Sequence, residues 1–280
     1  MSSILLATLA LGLAAPLSDA PRFGEVKLST GIRMHYAEQG ESRREPIILL
    51  HGYSDSWFSF SRVLTPLARE TRVYALDLRG HGKTDKPATG YLMRDLAADV
   101  VAFMDAKGIA KATVIGHSMG GVLCTLIAER TAVRAVVNID GNLTRGDCTF
   151  SALASAYTLD DFIARGFAEM RAKVYADGQT RPELRTYHAA MCFASPAMFH
   201  KHALELVELS SAGTLGPRLA ALHVPKLFVA GVPDGICAES RALLDMLGVR
   251  WLGIEPAGHW VYLDQLERFA STVSSFLTEI

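Results

Sequence analysis

From Glu25 to the C-terminus, short β-rich runs alternate with amphipathic stretches, and this alternation restricts the fold more than anything else in the chain. The strand-forming runs are 25–28, 33–38, 46–50, 72–76, 112–115, 135–139, 226–230 and 251–254. Several are apolar almost without interruption, as strands buried on both faces must be. Between them lie stretches such as 91–107, where Leu92, Leu96, Val100 and Phe103 recur at three- and four-residue steps. Tyr262, Leu266, Phe269, Val273, Phe276 and Ile280 repeat the pattern at the end. Regular alternation of this kind predicts an α/β fold, a mostly parallel sheet with helices on both faces.

The rhythm breaks once. Between Ile139 and Pro225 no run reads as a strand, and helices are expected at about 159–176, 182–193 and 196–210. The stretch carries many aromatics and methionines, among them Phe150, Tyr157, Phe162, Met191, Phe193 and Met198. An insertion between two strands sits over a sheet edge, and ligands bind at the C-terminal ends of strands in such sheets. We therefore expect a helical cap over residues 142–221, inserted into a core of residues 21–141 and 222–280. Most of the cap aromatics are expected to pack the insertion against itself.

Composition removes several classes of function. The 280 residues carry a formal charge of −1, and the 20% that are charged are spread along the chain. No basic block stands ready for a phosphate backbone or an anionic membrane, so neither nucleic-acid binding nor membrane insertion is expected. With 50% hydrophobic residues the chain can build its own core. The run 4–15 is almost wholly apolar, too short to span a bilayer, and followed by Ser18-Asp19-Ala20, which suits signal-peptidase cleavage. Residues 1–20 thus read as an export signal, or otherwise as an arm packed on the domain. Exported or periplasmic placement is favoured over cytoplasmic, although Met1-Ser2-Ser3 lacks a basic residue. Cys124, Cys148, Cys192 and Cys237 have no C-x-x-C spacing, so no metal site is expected. In an exported protein, Cys148–Cys192 is the pair to test for a disulfide.

The chemistry centres on Gly116-His117-Ser118-Met119-Gly120, a G-x-S-x-G between an apolar strand and an apolar helix. A serine on such a corner is held in a strained backbone that exposes its hydroxyl, and the following helix directs its N-terminus at developing negative charge. A serine hydroxyl needs a base. Among the nine histidines, His259 fits best, because it follows the last strand and so opens at the same sheet edge as Ser118. His117 should point away from the hydroxyl, His51 and His81 shape loops, and His200 and His202 face different sides of one helix. The orienting carboxylate should also lie at that edge. Asp234 follows the seventh strand and is favoured; Asp140, directly after the sixth, is the alternative. Two N–H donors are needed for an oxyanion, and Met119 and Tyr53 are expected to supply them. Trp57 and Trp260 are candidates for the substrate pocket.

Together these residues resemble the α/β-hydrolase superfamily, from about Phe23 to the C-terminus. Four signposts carry the resemblance in order: His51-Gly52; Asp77-Leu78-Arg79-Gly80-His81-Gly82 with Asp85; Gly116-His117-Ser118-Met119-Gly120; and Gly231…Asp234…His259. The resemblance implies an eight-stranded sheet with one antiparallel strand, a lid after strand six, a Ser-Asp-His triad and no cofactor. It also narrows the activity, since haloalkane dehalogenases and epoxide hydrolases of this kind carry Asp where this chain has Ser118. Pro233-Asp234-Gly235 is an unusually turn-rich setting for the family's acid, which keeps Asp140 in contention.

The expected function is cleavage of a carboxylic ester or lactone of a small, largely apolar molecule through an acyl-enzyme. The alternatives are a carbon–carbon bond hydrolase, a perhydrolase or acyltransferase on the same scaffold, and a non-catalytic ligand-binding receptor.

Overall fold

The computed structural model describes residues 20–41 and 44–280; the apolar run 4–15, on which the export reading rests, lies outside them. Eight strands form one sheet: β1 (Arg22–Lys27), β2 (Arg33–Gln39), β3 (Ile47–Leu50), β4 (Val73–Leu76), β5 (Thr113–His117), β6 (Ala135–Ile139), β7 (Lys226–Asp234) and β8 (Trp251–Gly258). Their spatial order is β1-β2-β4-β3-β5-β6-β7-β8. Only β2 runs against its neighbours, pairing antiparallel with both β1 and β4. The remaining neighbours pair in parallel.

Every residue of β3, β4, β5 and β6 is buried, which explains why their sequences are mostly apolar. Helices α1 (Ser61–Leu67), α2 (Met93–Ala106) and α3 (Met119–Ala128) lie between the early strands. Of these, α3 is apolar all round and buried along nearly its whole length, as a helix that opens beneath the centre of a sheet must be. A buried ion pair fixes the loop after β4: Arg79 donates from Nε and Nη2 to Asp99 on α2 at 2.7 and 2.6 Å. In the same loop Asp77 accepts from the Trp57 and Lys83 backbone N–H groups and meets His35 Nδ1 at 2.8 Å. Much of the Asp77–Gly82 signpost is therefore scaffolding.

Between β6 and β7 the chain is helical: α4 (Phe150–Ser155), α5 (Leu159–Asp161), a π turn over Phe162–Gly166, α6 (Phe167–Asp177), α7 (Pro182–Met191), α8 (Pro196–Ser211) and α9 (Leu215–Ala221). Prolines at the first turns of α7 and α8 set their starts. Phe162, Phe167 and Phe199 pack together, with ring centroids 5.4–5.9 Å apart, as a small core inside this insertion. The insertion is tied to the sheet by Tyr53, whose hydroxyl donates to the Phe199 carbonyl at 2.6 Å. Helix α9 returns to pack on α3. Helices α10 (Ala238–Met246), α11 (Val261–Asp264) and α12 (Leu266–Glu279) complete the chain.

The Cys148–Cys192 pairing does not form. Cys148 is a buried thiol 4.0 Å from the Leu206 carbonyl, whereas Cys192 is exposed at the end of α7 with Arg171 Nη2 3.1 Å from its sulfur. Among the described residues no helix is long and apolar enough to cross a membrane.

Candidate active site

The turn from β5 into α3 is sharp enough to force Ser118 to φ 54° and ψ −119°, a region that side-chain-bearing residues avoid. Glycine makes the turn feasible. A Cβ on Gly116 would collide with the Gly120 carbonyl, and one on Gly120 with the Leu50 carbonyl. The Ser118 N–H is anchored on the Ile139 carbonyl of β6 at 2.9 Å. The result is a half-buried serine at the mouth of a cleft also lined by Gly52, Tyr53, His259 and Trp260.

The turn after β3 lies directly against this corner. A Cβ on Gly52 would stand 2.9 Å from His117 Nδ1 and 3.2 Å from Ser118 Cβ, so only glycine admits the approach. His51 holds the turn, accepting from the Leu78 N–H at Nε2 (3.0 Å) and donating from Nδ1 to the Gly52 carbonyl (2.8 Å). Burial lowers its basicity, which suits an imidazole used as neutral scaffolding. The Met119 N–H opens α3, where a helix offers no acceptor of its own. The Tyr53 N–H donates to no residue of the described chain. Both sit on segments that flank Ser118.

His259 follows the end of β8 and lines the same cleft, its side chain 27% exposed. His117 packs beside it with ring centroids 4.5 Å apart, its Nε2 2.9 Å from the His259 carbonyl. Burial pushes the His117 imidazole far below its usual basicity, so it is a neutral wall rather than a base.

Asp234, the carboxylate favoured from the sequence, does not face His259. Asp234 is the last residue of β7, exposed, paired through its backbone with Gly258, and its side chain makes no hydrogen bond or ion pair among the described residues. Asp140 faces His259 instead, with Oδ2 3.6 Å from Nδ1. It is 1% exposed and held at φ 46°. Its Oδ1 accepts from the Gly231 and Ile236 N–H groups at 3.2 Å each, while Oδ2 has no other partner. Burial raises its pKa, and the contact with His259 opposes that rise. The reason for the reversal is geometric: β7 runs on as a paired strand to Asp234, carrying it outward, while β6 stops one residue short of Asp140 beneath the His259 loop.

The two tryptophans also separate. Trp260 lines the cleft and is 4% exposed. Trp57 does not; it lies in a 3₁₀ turn over Trp57–Phe60 and packs on Phe23 beside a different surface hollow. The insertion adds cleft residues not singled out as a pocket beforehand, notably Tyr187 and Leu206, along with Phe150, whose aromatic character was noted. Asp55, buried in the turn after β3, was missed as well, although its place four residues after His51 was a usable signal. Among the described residues no group of three or more His, Cys, Asp or Glu side chains could hold a metal ion.

Comparison with known proteins agrees with this architecture. The mouse protein Epoxide hydrolase 4 is 41% identical over 101 residues, which is 35% of this chain and 28% of that protein. The aligned part thus spans less than a third of the length of the first curated relatives. An enol-lactonase from Burkholderia xenovorans LB400 superposes with a TM-score of 0.76 at 20% identity, covering 91% of this chain and all of the other. An esterase from Exiguobacterium antarcticum gives 0.74 at 22%, covering 91% and 98%. At those identities the solved structures speak for the fold alone. The family described as alpha/beta hydrolase fold matches residues 45–266, most of the chain. With that match spanning most of the chain, this protein is a member of the alpha/beta hydrolase family.

Proposed function

We propose that the protein is a serine hydrolase acting on carboxylic esters or lactones. The observation that carries this reading is the backbone of Ser118, forced to φ 54° at the lip of a cleft that His259 and the neighbouring Asp140 complete. In this reading Ser118 Oγ attacks the acyl carbon while His259 takes its proton through Nε2. Asp140, at Nδ1, holds the ring's tautomer and stabilises the imidazolium. Its buried carboxylate is worth more there than in water, because little solvent screens it. The Tyr53 and Met119 N–H groups receive the oxyanion. His259 then protonates the leaving alkoxide, and water repeats the sequence on the acyl-enzyme.

The cleft residues contributed by the insertion, Phe150, Tyr187 and Leu206, would select the substrate, favouring a small molecule. The epoxide hydrolase likeness is set against a nucleophile of another kind. Opening an epoxide by that family's route requires a carboxylate at the corner, and here it is Ser118. A fluorophosphonate probe is expected to label Ser118, and Ser118→Ala to lose both labelling and hydrolysis of a p-nitrophenyl ester by at least ~10³-fold. Label found on another residue, or ester hydrolysis surviving in the variant, would overturn the assignment.

A further inference from the structure

Charged side chains are distributed one-sidedly around the cleft. Its lining contains no lysine or arginine among the described residues, but it does contain two carboxylates, Asp55 and Asp147. Asp147 is already engaged: it accepts from the Leu143, Thr144 and Cys237 N–H groups and from the Ser240 hydroxyl. Asp55 is different. It is 2% exposed and accepts from the Ser56 N–H at 2.8 Å, from Trp260 Nε1 at a long 3.4 Å, and from the Ser59 hydroxyl. No cation accompanies it, an expensive arrangement for a buried carboxylate.

Beside Asp55 stands a continuous aromatic wall assembled from three separate elements. The Tyr187 ring lies 5.2 Å from Trp260 and 5.3 Å from Phe150, centroid to centroid, so α4, α7 and the loop after β8 each contribute one ring. Aromatic rings lining a cleft beside a buried carboxylate are the chemistry that receives an ammonium group, through the ring quadrupole and the opposite charge together. The same lining repels a substrate carboxylate.

Resting on the serine-hydrolase reading above, we infer that this cleft takes esters bearing a cationic nitrogen, held by Asp55 and the rings of Tyr187, Trp260 and Phe150. Burial raises the Asp55 carboxyl to about 7. The groups facing it are Ser56, Ser59, Trp260, Tyr187 and Tyr262, with Asp77 adding like charge. A cation entering the cleft favours the ionised form, so binding and ionisation are coupled. Discrimination between a cationic ester and its neutral isostere should therefore sharpen as pH rises through about 7.

The test compares acetylthiocholine with its uncharged carbon isostere, 3,3-dimethylbutyl thioacetate, by thiol release. Wild type is expected to prefer the cation by about tenfold in kcat/KM at pH 8, and by less at pH 6. In Asp55→Asn the ratio falls toward one and loses its pH dependence; Tyr187→Leu, the second variant, lowers it as well. Calorimetric titration with tetramethylammonium reads the cation site without turnover: saturable binding in wild type, lost in Asp55→Asn. If both esters are cleaved equally, with Ser118-dependent activity and no tetramethylammonium binding, the cation site is wrong and the hydrolase stands. If hydrolysis persists in Ser118→Ala, the hydrolase reading fails, and the tetramethylammonium titration decides the cation site alone.

Discussion

Asp140 and Asp234 sit at the ends of neighbouring parallel strands, chemically identical and both within reach of the edge that carries Ser118 on a topological sketch. Their surroundings are opposite. Asp140 is sealed under the His259 loop, fed by two backbone N–H groups on one oxygen and presenting the other to the imidazole. Asp234 is solvated at the far end of a longer strand. What separates them is where each strand stops, because a carboxylate contributes to an imidazolium in proportion to how little water competes with it. Even the turn around Asp234 serves its neighbour: a Cβ on Gly235 would collide with the Asp140 carboxylate.

That contrast can be broken by measurement. The largest effect is expected from Asp140→Asn, which should lower kcat on a p-nitrophenyl ester by ~10³–10⁴-fold while the protein stays folded. If Asp234→Asn produced that loss and Asp140→Asn did not, the assignment would be reversed. Next comes Gly235→Ala, which should displace Asp140 and cost ~10²-fold in kcat through misplacement alone; an unchanged rate would show that the pocket behind Asp140 yields freely.

Asp55 extends the comparison to a third carboxyl, one whose burial shows in stability. Its folded-state pKa of about 7 lies above the ordinary 3.8, so its contribution is complete below ~3.8 and is lost as pH rises through ~7. Melting temperatures of Asp55→Asn and wild type should diverge in the variant's favour between pH 4 and 7, by roughly 4–8 °C, and remain parallel above that. A constant gap across the range would contradict the raised value. The smallest effect belongs to Asp234→Asn, expected within about twofold of wild type in kcat/KM and within ~0.5 kcal/mol in stability by chemical denaturation.

The inner strands were legible in the sequence because burial on both faces leaves a largely apolar signature, as in Ile47–Leu50 and Val73–Leu76. The Ser118 corner and the His259 loop were legible for a related reason: glycine spacing and strand ends are local properties of a chain. The acid was not. Asp140 and Asp234 differ in depth, and depth depends on how far β7 continues and on what the following loop covers, neither of which periodicity records. Trp57 fails on the same ground, since its turn faces Phe23 rather than the cleft. Cys148 and Cys192 were separated by the packing of α7, invisible in their spacing.

Tyr53 has a consequence for how such an enzyme changes over evolutionary time. Its main chain borders Ser118 while its hydroxyl, at the other end of the ring, grips the Phe199 carbonyl in α8. A single side chain thus links the segment proposed to receive the oxyanion to a helix that contributes Leu206 to the cleft. In the proposed mechanism, remodelling the insertion to admit a new substrate would shift the support of that donor, tying choice of substrate to rate through one phenol ring.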